Sequence, residues 1–99
     1  MAPPVPDDAP RWTVYMLRCR DGSLYTGATN NLERRVATHG RGRGAAYTRA
    51  RLPVTLVWSE AAEDRSAALR REAAIKRLSR GDKLLMVEAV RPPSRRRER

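Results

Sequence analysis

A chain of 99 residues with a net charge of +10 is one small, basic domain whose charge asks for a polyanionic partner. It has no apolar run long enough to span a membrane and no apolar signal core at its N-terminus, which predicts no membrane association. Its one cysteine, Cys19, excludes an internal disulfide framework and a cysteine-cluster zinc site; a lone thiol in a strand points to a reducing compartment, the cytoplasm. Residues 91–99 contribute +4 and residues 1–10 contribute −2, so +8 remains on residues 11–90 and the tail is not the source of the basicity. The absence of Phe and the abundance of Ala and Arg also signal a general compositional bias, so charge supports a nucleic-acid partner without proving it.

Residues 1–11 are Pro-rich and acidic and read as a flexible leader. Trp12 to Cys19, rich in aromatic and branched residues, reads as a strand, and Leu24 to Ala28 as a second, shorter one. Asp21-Gly22 between them signals a hairpin, because glycine supplies the positive φ such turns need. Register then decides which side chains share a face. A three-residue loop, Arg20-Asp21-Gly22, with Gly22 left-handed, sets Leu17 opposite Tyr25 and Tyr15 opposite Gly27, so that both tyrosines share a face. An even loop would put them on opposite faces. The three-residue loop is the expectation.

Asn30 to Glu33 has the spacing of a capping box, with Asn30 as cap, and Gly40 fits a helix stop. Between them Leu32, Arg35, Val36 and His39 fall on one face. Arg35 or His39 alone has an ordinary structural explanation; with two tyrosines converging beside them, a polar site is the better account. Residues 41–51 form a basic, Gly-rich loop with one helical turn near Tyr47, and Arg41, Arg43, Arg49 and Arg51 are candidates to grip a phosphate backbone. The loop lacks the Lys-Ser/Thr end of a nucleotide-binding P-loop. Val54 to Ser59 reads as a third strand, apolar enough for the buried middle of the sheet, with Trp58 in the core. Asp64 or Ser66 caps a helix over Ala67 to Leu78, with Leu69, Ala73, Ile75 and Leu78 toward the sheet. Glu72 lies near that face; on spacing alone, a surface pair with Lys76 one turn on is its simplest account. Ser79 opens a last short helix through Leu84 to Val90, and residues 91–99 read as a basic, disordered tail.

The ordered set Tyr15, Tyr25-Thr26-Gly27, Arg35, His39 and Glu72 resembles the GIY-YIG nuclease domain, over about residues 12–90, and the match looks closest to its small stand-alone members. Thr13-Val14-Tyr15 and Tyr25-Thr26-Gly27 stand where the family has its two name-giving triplets, with threonine replacing the first glycine. The resemblance implies an α/β (α+β) fold: a small, three-stranded, mainly antiparallel sheet flanked by helices. It implies a nuclease that hydrolyses phosphodiester bonds of nucleic acid, DNA favoured over RNA, with no obligate protein partner. It assigns Glu72 to one divalent cation, Mg²⁺ or Mn²⁺, Tyr15 to the general base, Tyr25 to positioning of water or phosphate, Arg35 to the charge developing on the phosphate, and His39 to a hydrogen bond in the same network. Free tyrosine has a pKa of about 10, so this role calls for assistance from nearby cations. Two rival readings are a nucleic-acid-binding module with weak or no turnover, for which Thr13 leaves room, and a basic structural protein of ribosome or nucleoid.

Overall fold

A computed structural model describes residues 12–90; the expected leader and tail lie outside the described residues. Three strands form one antiparallel sheet in the order β2-β1-β3, with β1 at Trp12–Arg18, β2 at Leu24–Thr29 and β3 at Thr55–Ala62. Four helices complete the fold: α1 Leu32–Gly40, α2 Ala46–Arg49, α3 Arg65–Lys76 and α4 Arg80–Ala89.

The hairpin has the expected register, with Leu17 opposite Tyr25 and Tyr15 opposite Gly27. Its loop is the three-residue one. Gly22 N–H donates to Cys19 O and Cys19 N–H to Ser23 O, both at 2.9 Å, and Gly22 has φ +87°. The Asp21 carboxylate accepts from Ser23 N–H and Oγ–H, bonds that hold its pKa below the usual carboxylate value.

Sheet order departs from expectation. The buried middle strand is β1, whose Val14 to Leu17 are at most 1% exposed, and β3 is an edge. Thr55 and Leu56 are exposed, and a bulge that leaves Val57 without a direct partner turns Trp58 into the core opposite Met16. Thr13 pairs with Thr29 on one side and Ala61 on the other, so its replacement of the expected glycine leaves the strand ladder intact.

The sheet's two faces have different work. Val14, Met16 and Trp58 pack with Ala68 and Ile75 of α3 and Val87 of α4 into the apolar core. Strand alternation puts Tyr15, Leu17 and Tyr25 on the opposite face, toward α1 and α2. On α3 the buried residues are Ala68 and Ile75. Leu69 and Ala73, expected to face the sheet, are exposed, because α3 meets the sheet along the line of residues 68, 72 and 75. Two helix ends shift by a residue or two. The cap of α1 is Asn31, not Asn30, with its side chain accepting from Arg34 N–H. The positive φ after α1 belongs to Gly42, not Gly40. Asp64 and Ser79 cap α3 and α4 through Ala67 N–H and Asp82 N–H.

Gly27 is required by close approach. A Cβ there would lie 2.5 Å from the Tyr15 hydroxyl oxygen and 2.6 Å from its ring carbon Cζ. That ring is buried, so it has little room to yield. Gly27→Ala is therefore expected to destabilise the protein by about 1–3 kcal/mol through overpacking. Gly40→Ala, with nothing within 4 Å of the new methyl, should be neutral or stabilising. Urea melts of the two variants check this; equal midpoints would contradict the wedge at Gly27.

Candidate active site

The Tyr15 side chain is 1% exposed, and its hydroxyl lies 3.0 Å from His39 Nε2. His39 is fully buried at the end of α1, and its Nδ1 lies 2.8 Å from Thr48 Oγ1. Thr48, also fully buried, donates its own hydroxyl proton to Ala45 O at 3.0 Å. A hydroxyl has one proton, so Thr48 Oγ1 must accept from His39. Nδ1 therefore carries the imidazole hydrogen, Nε2 carries a lone pair, and the Tyr15 hydroxyl donates to it. The result is a directed chain, Tyr15 to His39 to Thr48 to Ala45 O. Gly44 closes the other side of the ring: a Cβ there would overlap His39 Nδ1.

Electrostatics agree with a neutral imidazole. Burial pushes the pKa of His39 below its ordinary value, and the nearby positive charge of Arg35 adds to the effect. Burial also raises the pKa of Tyr15; the Arg35 guanidinium works the other way without winning, and the neighbouring Tyr25 and Glu72 raise it further. The Arg35 guanidinium by itself thus does not bring the Tyr15 pKa below its ordinary value. What the site offers instead is a neutral imidazole able to take its proton.

Tyr25 is half-buried, with its ring centroid 5.2 Å from His39 and 6.4 Å from Tyr15. Arg35 is half-buried and acts on both Tyr15 and His39. Glu72 reaches the same neighbourhood from α3, close enough to act on Tyr15, and its side chain is 18% exposed. Its carboxylate pairs with Lys76 Nζ at 3.1 Å, the partner expected from spacing alone. The structure thus gathers Tyr15, Tyr25, Arg35, His39 and Glu72 in one place. Among the described residues no group of three or more His, Cys, Asp or Glu assembles, so a cation here would rest on Glu72 with water and phosphate. One carboxylate with several waters suits Mg²⁺.

The four loop arginines divide. Arg41, Arg43 and Arg49 are exposed around α2. Arg51 is committed inward: it donates to Asp21 at 3.1 Å and to Tyr47 O at 2.9 Å, and lies 3.8 Å over the Tyr47 ring. Its guanidinium braces the loop against the hairpin. Thr48 and Gly44 escape sequence reading. Gly44 carries a faint signal as a second glycine in Arg41-Gly42-Arg43-Gly44, and Thr48 carries none.

The buried imidazole makes stability pH-dependent. The unfolded chain takes up a proton below about pH 6.5, and native His39, with its lowered pKa, does not. The unfolded state then binds more protons, so stability falls as pH drops from about 6.5 toward the native pKa and is flat just above 6.5. The raised pKa of Tyr15 has the opposite consequence, a loss above about pH 10. His39 is the chain's single histidine, which isolates the acidic window. Urea midpoints at pH 5.5, 6.5 and 8 check it, and a midpoint that rises on acidification would contradict a neutral, buried His39.

A family model described as the GIY-YIG catalytic domain matches residues 11–84. A UPF0213 protein of Staphylococcus haemolyticus is 53% identical over 75 residues, covering 76% of this chain and 92% of the relative. One from Natronomonas pharaonis is 55% identical over 74 residues, covering 75% and 87%. The solution NMR structure of a UPF0213 protein from Bacillus halodurans is similar at a TM-score of 0.55 and 42% identity, covering 84% of this chain and 88% of the other.

Proposed function

We propose that the chain, which belongs to the GIY-YIG catalytic domain family, is a divalent-metal-dependent nuclease acting on DNA. The observation that carries the reading is the directed hydrogen-bond chain from Tyr15 through His39 to Thr48, set beside Arg35 and Glu72. Hydrolysis of a phosphodiester needs a water stripped of its proton and positive charge to meet the developing phosphate charge.

Each residue has a place in that chemistry. Tyr15 takes the proton of the attacking water while passing its own to His39 Nε2. Of the two tyrosines, only Tyr15 is bonded among the described residues to an acceptor that can receive its proton, which favours Tyr15 over Tyr25 as the base. Thr48 keeps Nε2 as the basic nitrogen. Arg35 favours the deprotonated form of Tyr15 and meets the phosphate charge. Tyr25, the more exposed ring, meets substrate. Glu72 would hold Mg²⁺ or Mn²⁺ after releasing Lys76, and the bound cation would supply Lewis acidity at the phosphate. Arg41, Arg43 and Arg49 attract the polyanion, and the reduced thiol of Cys19 fits work in the cytoplasm.

A binding module without turnover is the second reading. The Glu72–Lys76 pair favours it, since it engages the carboxylate that a metal would need. Labelled duplex DNA, single-stranded DNA and RNA, each incubated with Mg²⁺, Mn²⁺ or chelator, separate the two readings. The nuclease reading predicts cleavage, DNA before RNA, only with a divalent cation. Binding to all three with no cleavage would leave the module.

A further inference from the structure

A cleft of about 240 Å³ runs along the outer side of β2, lined by Leu24, Tyr25, Thr26, Tyr47, Lys76 and Lys83. Among the described residues strand β2 pairs only with β1, so this is an open edge of the sheet. A second cleft of about 200 Å³ shares Leu24 and Lys83 with the first and continues to Ser23 and Arg80 at the hairpin turn. Three cations and no carboxylate line the two together. Lys83 is half-buried and makes no ion pair among the described residues. Tyr25 is common to this groove and to the candidate active site, so the two are continuous.

We propose that the β2-edge groove binds the sugar-phosphate backbone of the nucleic-acid strand leading away from the cleaved phosphodiester, without reading its bases; this rests on the nuclease reading above. Charge complementarity selects the occupant, since three cations line the groove and, among the described residues, only Lys76 of them has a carboxylate partner, Glu72. The aromatic wall selects backbone over base. Tyr47 is covered on one side by Arg51 at 3.8 Å and is stacked against Tyr25 at a centroid distance of 6.2 Å. Arg51 takes one face of that ring, which leaves room for one stacked base at most, while three cations line the rest of the groove for phosphates. Lys76 ties groove to site: a cation on Glu72 would turn Lys76 away from the carboxylate and add its charge to the groove.

The test is Lys83→Gln, with Arg70→Gln on the exposed side of α3 as the control of equal charge change. Fluorescence anisotropy in chelator measures affinity for labelled 16-mer duplexes of several sequences across a salt series, with no turnover involved. Loss of one phosphate contact lowers the magnitude of the log K against log salt slope by about 0.9. Lys83→Gln should show that drop on every sequence alike, and Arg70→Gln should show much less. An unchanged slope for Lys83→Gln, an equal effect of both variants, or a loss confined to one sequence would overturn the groove. The outcome is separable from the nuclease reading. A parent protein that cuts while Lys83→Gln binds normally removes the groove alone. A parent that cuts nothing while Lys83→Gln binds more weakly removes the nuclease alone.

Discussion

Tyr15→Phe is expected to lower the cleavage rate by roughly 10²–10⁴-fold, the range for loss of a positioned general base. The substitution keeps the ring that fills the space over Gly27 and removes only the hydroxyl. It is not silent for stability, because the buried Nε2 of His39 loses its donor. An orphaned buried acceptor costs about 1–3 kcal/mol, well short of unfolding a typical domain. Thr48→Val leaves Tyr15 intact and removes the oxygen that receives Nδ1–H, so it attacks the same chain from its far end. It should also slow cleavage, and Thr48→Ser should restore it. Tyr25→Phe separates the tyrosines: it should weaken substrate binding more than the chemical step. If Tyr25→Phe lost turnover and Tyr15→Phe did not, the base would be Tyr25.

Glu72→Ala is expected to abolish metal-dependent cleavage while leaving fold and nucleic-acid affinity in place. The ion pair it removes joins a side chain 18% exposed to one 52% exposed, and such partly solvated pairs contribute about 0–1 kcal/mol. Alanine is the better helix former at that position, so the melting temperature should hold. Affinity in chelator should hold or rise, since a negative charge leaves and Lys76 is released toward the groove. Isothermal titration with Mn²⁺ gives a readout independent of turnover: binding to the parent in the presence of an uncleavable duplex, and none to Glu72→Ala. A variant that still cuts with Mg²⁺ would remove Glu72 from the metal assignment.

Much of this arrangement was legible in the chain because it rests on local rules. The Asp21-Gly22 turn sets the hairpin register, and the register puts Tyr15 over Gly27 with Tyr25 beside it. Helical spacing does the same for Arg35 and His39. What failed depends on non-local choices. Val54 to Trp58 is apolar enough for a central strand, yet strand order follows from how β1 pairs on both sides, and the bulge at Val57 lets an edge strand still bury Trp58. On α3 the alanines blur the apolar stripe, so the spacing points Leu69 inward although the small Ala68 sits at the close contact. The spacing to Glu33 favours Asn30 as the cap, yet the chain leaving β2 makes the neighbouring Asn31 the cap instead. Thr48 was illegible because its role depends on the loop returning under His39, a fold-level event without a composition signature.

Single-turnover nicking of supercoiled plasmid DNA in ¹⁸O-labelled water with Mg²⁺ tests the central claim most directly. Hydrolysis by an activated water predicts relaxed circles in Mg²⁺ and none in chelator, with one ¹⁸O on the terminal phosphate of each new break. No relaxation, equal relaxation in chelator, or breaks whose phosphates carry no label would contradict it.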